Sequence, residues 1–224
     1  MKTAILVDGG FYRRRAQSML GEKSAKDRAV ELSNYCMRHL FLHGHKISDL
    51  YRVFYYDCLP MTKKLYHPFL KRQIDYSKTP LYQWSIDFIN ELKSRRKFAI
   101  RLGKLADEQA HFTIREAIIR KLCNKKLTLD ELTENDFALN VSQKGVDMKI
   151  GLDIASLAYK KQVEQIILIS GDSDFVPAAK LARREGIDFI LDPLFNPVKP
   201  DLLEHIDGLR TCDIKFKGTS KNPL

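Results

Sequence analysis

A chain of 224 residues, 44% of them hydrophobic, is long enough to bury one sizeable core. Its 38 Lys and Arg against 28 Asp and Glu leave a formal net charge of +10, which suits a polyanionic partner better than a basic one. No apolar run is long enough to span a bilayer, and the amino terminus meets Asp8 too soon for a signal peptide. The 4 cysteines form no CxxC pair, which excludes a zinc ribbon or a disulfide framework, so a soluble, cytoplasmic protein in a reducing compartment is expected.

In chain order, the apolar run at residues 3–7 predicts a strand that stops at Asp8, Gly9 and Gly10. A helix is expected over 26–43, where Val30, Tyr35, Met37, His39 and Leu40 are bulky positions. LYRVFYYD (50–57) reads as the second strand, closed by Pro60. Residues 80–97 read as a helix carrying Leu81, Trp84, Phe88, Ile89 and Leu92, and 98–106 as an alternating strand. The polar piece at about 107–136 predicts an insertion with two short helices, TIREAIIRKL and LTLDELT, within one domain covering 1–224. QKGVDMKIGLDIASLAYKK (143–161) is a turn running into an amphipathic helix, and VEQIILIS (163–170) is a strand of the kind buried on both faces. In GDSDFVP, Ser173 or Asp174 is the expected cap of a helix with Pro177 in its first turn and Gly186 at its end; IDFILDPL then begins a strand. Strands alternating with helices predict an α/β fold with a mostly parallel sheet.

Two strands therefore end in acidic turns, ILVDGG and ILISGDSD. Neighbours in a parallel sheet would bring Asp8, Asp172 and Asp174 to one carboxyl edge, where such sheets place their ligands, and the amino end of the helix carrying Asp147 could reach the same spot. Taken singly, Asp8 is a common turn former and Asp174 a favoured cap; their recurrence together with KGVD outweighs that reading. Carboxylates crowded into one cleft repel unless neutralised, and the cation suited to an all-oxygen site is Mg2+ or Mn2+. An acidic metal site in a basic protein points to phosphodiester chemistry. Ser170 and Ser173 shape the turn, since no His nearby in sequence could serve as their base.

VDGG, FYYDCLP, QKGVDMKIGLDIASLAYK and ILISGDSDFVPAAKLARREG, in this order and spacing, resemble the NYN domain, in particular its LabA-like branch, a relative of PIN-domain nucleases. The pair KGVD and SGDSDF is the specific part. The resemblance implies a PIN-like three-layer α/β/α fold with a central, mostly parallel sheet, and a divalent-metal-dependent ribonuclease using Mg2+ or Mn2+. It places Asp8, Asp147, Asp172 and Asp174 at the family's metal-binding and catalytic acids. Gly10, Arg13, Arg14, Lys144, Ser170 and Ser173 flank them and are expected on the substrate side. Asp153, six residues after Asp147, is turned away at helical spacing and is expected to play a supporting part or lie at the surface. Many members carry Asn where this chain has Phe11.

RNA, single-stranded, is the expected partner, and nothing in the sequence reads a 2′-hydroxyl, so the chemistry is open to DNA. Basic clusters at Arg13–Arg15 and Arg95–Lys97 are expected to track the phosphates. No membrane partner is expected, and a homo-oligomer is compatible with this reading. The competing reading is a PIN-like module that binds RNA or a nucleotide without cutting it; only the enzyme needs the full set of carboxylates.

Overall fold

The computed structural model describes residues 1–42 and 44–212. In chain order the elements are β1 (Thr3–Asp8), α1 (Gly9–Leu20), α2 (Ala25–Phe41), β2 (Leu50–Cys58), β3 (Lys64–His67), β4 (Arg72–Asp75), α3 (Pro80–Lys93), β5 (Phe98–Leu105), β6 (His111–Ile114) and α4 (Glu116–Cys123). They continue with β7 (Phe137–Asn140), β8 (Gln143–Lys144), α5 (Val146–Tyr159), β9 (Gln165–Ile169), α6 (Val176–Arg184), β10 (Asp188–Asp192), α7 (Pro200–Leu203) and β11 (Gly208–Leu209). Among the described residues the main sheet runs in the order β11-β10-β9-β1-β2-β5-β8. All its pairings are parallel except β8 on β5. No helix among the described residues is long and apolar enough to cross a membrane.

The central strands bury both faces, which is why they read as continuous apolar runs. Along β1, Ile5 and Val7 face one layer with Tyr12, Leu32, Tyr35 and Phe88 of α1, α2 and α3. Ala4 and Leu6 face the other, with Ile150 and Ile154 of α5 and Phe175 and Ala179 at α6. Each fully buried Ile, Leu or Val contributes about 1.5–3 kcal/mol through this burial, so Ile5, Leu6 and Val7 of β1 together contribute about 5–9 kcal/mol. The result is a three-layer α/β/α arrangement, as the alternation of elements predicts.

Three stretches differ from the sequence reading. Residues 9–20 form a helix that the Gly-Gly start and the run of arginines conceal; burial of Phe11, Tyr12 and Ala16 holds it, with Asp8 as cap. The 80–97 helix ends at Lys93. Within 107–136, TIREAIIRKL becomes a helix only from Glu116, because Thr113 and Ile114 pair with Ala138 and Phe137. LTLDELT forms one short 3-10 turn, Leu129–Glu131, closed by Thr128 and Glu131.

Candidate active site

The carboxyl ends of β1 and β9 lie side by side, since Val7 is in register with Ile169. The next residues on each strand are Asp8 and Ser170. The Asp8 carboxylate accepts from the Phe11 N–H at 3.0 Å and from the Ser170 hydroxyl at 3.2 Å. That hydroxyl in turn accepts from the Asp172 N–H at 3.3 Å, so one fully buried serine links both acidic turns. Asp172, rather than Ser173 or Asp174, caps the following 3-10 turn, Ser173–Phe175, by accepting the Asp174 N–H at 3.1 Å. The reason is local: an Asp side chain reaches the backbone two residues on, and the 3-10 turn intervenes before α6 begins. Asp172 and Asp174 are exposed.

Asp147 enters from the other side of the sheet. The antiparallel strand β8 returns the chain to the carboxyl end of β5, Gly145 turns it at φ 79°, and Asp147 falls in the first turn of α5. Gly103 makes this return tight: a Cβ there would stand 2.8 Å from the Lys144 carbonyl.

Electrostatics couple these acids. Burial pushes the Asp8 carboxyl above its ordinary value and the charge of Asp147 adds to that, against the Phe11 N–H, Ser170 and Arg14, which pull it down. Asp147 is pushed up by desolvation, then by Asp172 and Asp174. Asp147 is thus the acid that links the set: its charge acts on Asp8, and those of Asp172 and Asp174 act on it. Among the described residues no three His, Cys, Asp or Glu side chains stand close enough together to enclose a metal ion directly. By donor chemistry alone, carboxylates suit a hard cation such as Mg2+, which is held by one or two carboxylates and keeps several waters.

The remaining residues named from the sequence spread around this edge. Gly10 is buried in the first turn of α1, and a Cβ there would stand 3.6 Å from Asp8 Oδ1 and 3.5 Å from Gln143 Oε1. Arg14 is exposed, with its charge felt by Asp8. Arg13 is half-buried and paired with Asp57 at 2.9 Å. Lys144 is exposed on β8, and Ser173 accepts from Lys199 Nζ at 3.0 Å. Asp153 is held by the Tyr56 hydroxyl at 2.8 Å and Arg101 Nε at 3.1 Å.

Sequence reasoning did not single out Asp57. It stands one residue before the end of β2, buried, and accepts from Arg13, from the Tyr55 hydroxyl at 2.7 Å and from the Cys58 N–H at 2.8 Å. The signal was there: FYYDCLP, like ILVDGG, is an apolar strand stopping at a carboxylate. Phe11, at the position of the family's Asn, packs its ring over Gly171, where a Cβ would come within 2.6 Å of it, and holds Asp8 through its backbone alone.

The NYN domain family model matches residues 74–197, more than half of the chain; Asp147, Asp172 and Asp174 fall inside that span and Asp8 before it. The chain is 24% identical over 152 residues to Uncharacterized protein MJ0482 of Methanocaldococcus jannaschii, a match covering 65% of this chain and 60% of that protein. It is also similar to the crystal structure of a protein of unknown function, VPA0982 from Vibrio parahaemolyticus, at TM-score 0.48 and 14% identity, covering 96% of this chain and 94% of that one. NYN domains are PIN-like, generally nuclease-like, and typically use divalent metals. By the extent of the family match, the chain belongs to the NYN domain family of the PIN-like superfamily.

Proposed function

We propose that this protein is a divalent-metal-dependent ribonuclease that hydrolyses phosphodiester bonds of single-stranded RNA. The observation that carries the reading is the repulsion that converges on Asp147, whose charge raises Asp8 and which Asp172 and Asp174 raise in turn, while among the described residues no lysine or arginine forms a hydrogen-bonded ion pair with Asp8. Such repulsion is a standing cost that a bound cation removes.

In this reading Asp8, Asp147, Asp172 and Asp174 would hold Mg2+ or Mn2+. The ion, when bound, supplies charge to the phosphoryl oxygens and lowers the pKa of an attacking water. Asp8 is fixed for its part by two hydrogen bonds, and Ser170 sets its distance from Asp172. Arg14 and Lys144, exposed on either side, meet the phosphates flanking the scissile one; Gly10 lets the strand approach the Asp8 turn, and Ser173 with Lys199 borders the far side. In this reading the chain is one domain, 1–224, with a helical insertion at about 107–136; residues 43 and 213–224 of that span lie outside the described residues. The alternative, an RNA- or nucleotide-binding module without turnover, keeps the basic surface but leaves the four-acid repulsion without a purpose.

Cleavage of labelled single-stranded RNA and DNA by the pure protein in Mn2+, Mg2+ or EDTA tests the proposal. RNA should be cut only with the cation, and Asp172→Asn should lower the rate at least about a hundredfold without loss of fold by circular dichroism. Cutting in EDTA, or at the wild-type rate in the variant, overturns the metal mechanism; metal-insensitive RNA binding without cutting favours the binding module.

A further inference from the structure

Beside the carboxylates, on the β2 and β5 side of the same edge, lies a cavity of about 240 Å³ that the acid chemistry does not use. Its floor is the Arg13–Asp57 ion pair, and Tyr76, Tyr82 and Phe88 supply aromatic walls. Gln143 lines one end. The amide of Gln143 reaches within 3.5 and 3.8 Å of where a Cβ on Gly10 would stand, so that end of the cavity touches the Asp8 turn. Among the described residues neither this amide nor Arg13 Nε has a hydrogen-bond partner, and the latter is buried.

We infer that this cavity is a base-binding slot, which takes one unstacked base of a single-stranded RNA whose phosphate lies at the carboxylates. The inference rests on the nuclease reading above and specifies how the strand is gripped. Size supports it: the cavity is smaller than the roughly 300–1,000 Å³ typical of drug-sized ligands and suits one heterocycle. So does its chemistry, because tyrosine faces stack on any base, and the primary amide of Gln143, at the end beside the Asp8 turn, offers the donor and acceptor needed to meet a base edge. The path continues outward. A second cavity of about 290 Å³ shares Arg13 and Leu81 with the first and is lined by Trp84 and Lys23. Leu81, 65% exposed, is the ridge between the two, an apolar side chain in contact with water at the place where a strand would pass.

The chain's 1 Trp provides the readout. Trp84 stacks on Phe88, with centroids 5.1 Å apart and rings 13° from parallel, and Phe88 lines the slot, so a base entering it alters the indole emission. The experiment compares a short oligouridylate with the same oligomer carrying one abasic ribose, each titrated into the full chain in Ca2+, with Trp84 emission and fluorescence polarisation recorded. The intact oligomer should bind about tenfold more tightly than the abasic one and should alone change the emission. Tyr82→Ala and the more conservative Leu81→Ala, each checked for an unchanged Tm, should weaken the intact oligomer and leave the abasic one as it was. Equal affinity of both oligomers for the wild type, with no emission change, overturns the slot while leaving the nuclease reading to the cleavage assay. If neither oligomer binds, slot and nuclease reading fall together.

Discussion

Ser170 donates to one acid and accepts from the backbone of another, and neither act is chemistry on a substrate; it fixes how far apart two repelling turns sit. The cost of that arrangement can be measured at Asp8. Its folded-state pKa is raised, so the folded protein holds the proton more tightly than the unfolded chain, and ionisation at neutral pH subtracts from stability. Asn removes the charge yet still caps α1. In EDTA, Asp8→Asn should therefore melt higher than wild type by the equivalent of about 1 kcal/mol. Saturating Mn2+ should reverse the order, because a ligand that binds only the folded state at a hundredfold excess over Kd adds about 2.7 kcal/mol to the protein that retains its acid. Parallel melts in both conditions would leave Asp8 an ordinary turn residue. Glu31 behaves oppositely. Burial would raise its carboxyl, but Lys23 at 2.6 Å, Arg28 at 2.6 Å and the Tyr12 hydroxyl at 2.9 Å outweigh that and hold it below its ordinary 4.5. A depressed folded pKa stabilises above the unfolded value and is lost as pH falls through the folded one. Glu31→Gln should thus cost about 2 kcal/mol at pH 7, and the gap should shrink progressively as pH falls below the ordinary 4.5 in urea melts taken across pH.

At the scale of elements, the turn between β1 and α1 depends on two glycines with different demands. A Cβ on Gly9 would stand 2.4 Å from the Tyr55 ring and 2.6 Å from the Tyr56 carbonyl, whereas one on Gly10 meets nothing nearer than 3.5 Å. Gly9→Ala should lose about 3 kcal/mol in urea denaturation, and Gly10→Ala should stay within roughly 0.5 kcal/mol of wild type because the helix propensity of Ala offsets lost space. An equal cost at both would contradict the packing described for this turn. This same turn marks where sequence reading reached its limit. The strands at 3–7, 50–57 and 163–170 were legible because burial on both faces writes a continuous apolar run, and so was the meeting of the ILVDGG and ILISGDSD turns, because parallel order follows from alternation. Helix α1 was not legible: Gly-Gly at its start argues against a helix, and the burial that overrides this comes from α2 and β2, distant in sequence. Nor was the slot beside Asp57, since Gln143, Tyr76 and Arg13 meet only through the fold.

Across the whole molecule, parallel order also sorts the positive charge. The Arg95–Lys97 cluster immediately precedes β5, and Lys160 and Lys161 precede β9, so both lie at the amino edge, opposite the acids. Arg183 and Arg184 end α6, where cations suit the helix dipole, and Lys97 donates to the Ile47 carbonyl at 3.0 Å. The expectation that the Arg95 cluster tracks phosphates at the active edge therefore gives way to Arg14 and Lys144, which lie there. Single-strand affinity should fall with salt by about 0.7 log units per log unit for each phosphate met, and Arg14→Glu should reduce that slope by about one contact while Arg96→Glu leaves it unchanged. Equal effects from the two would point to binding spread over the surface.

The register of β1 against β9 carries a consequence for how the protein comes into being. Asp8 leaves the ribosome before its partners Ser170 and Asp172, and 162 residues separate Asp8 from Ser170. At 5–20 residues per second, about 10–30 s separate them. During that interval β1 can pair with β2, but its other edge waits open and the acids remain apart. The acidic turns thus meet only when β9, the strand that completes the middle of the sheet, arrives.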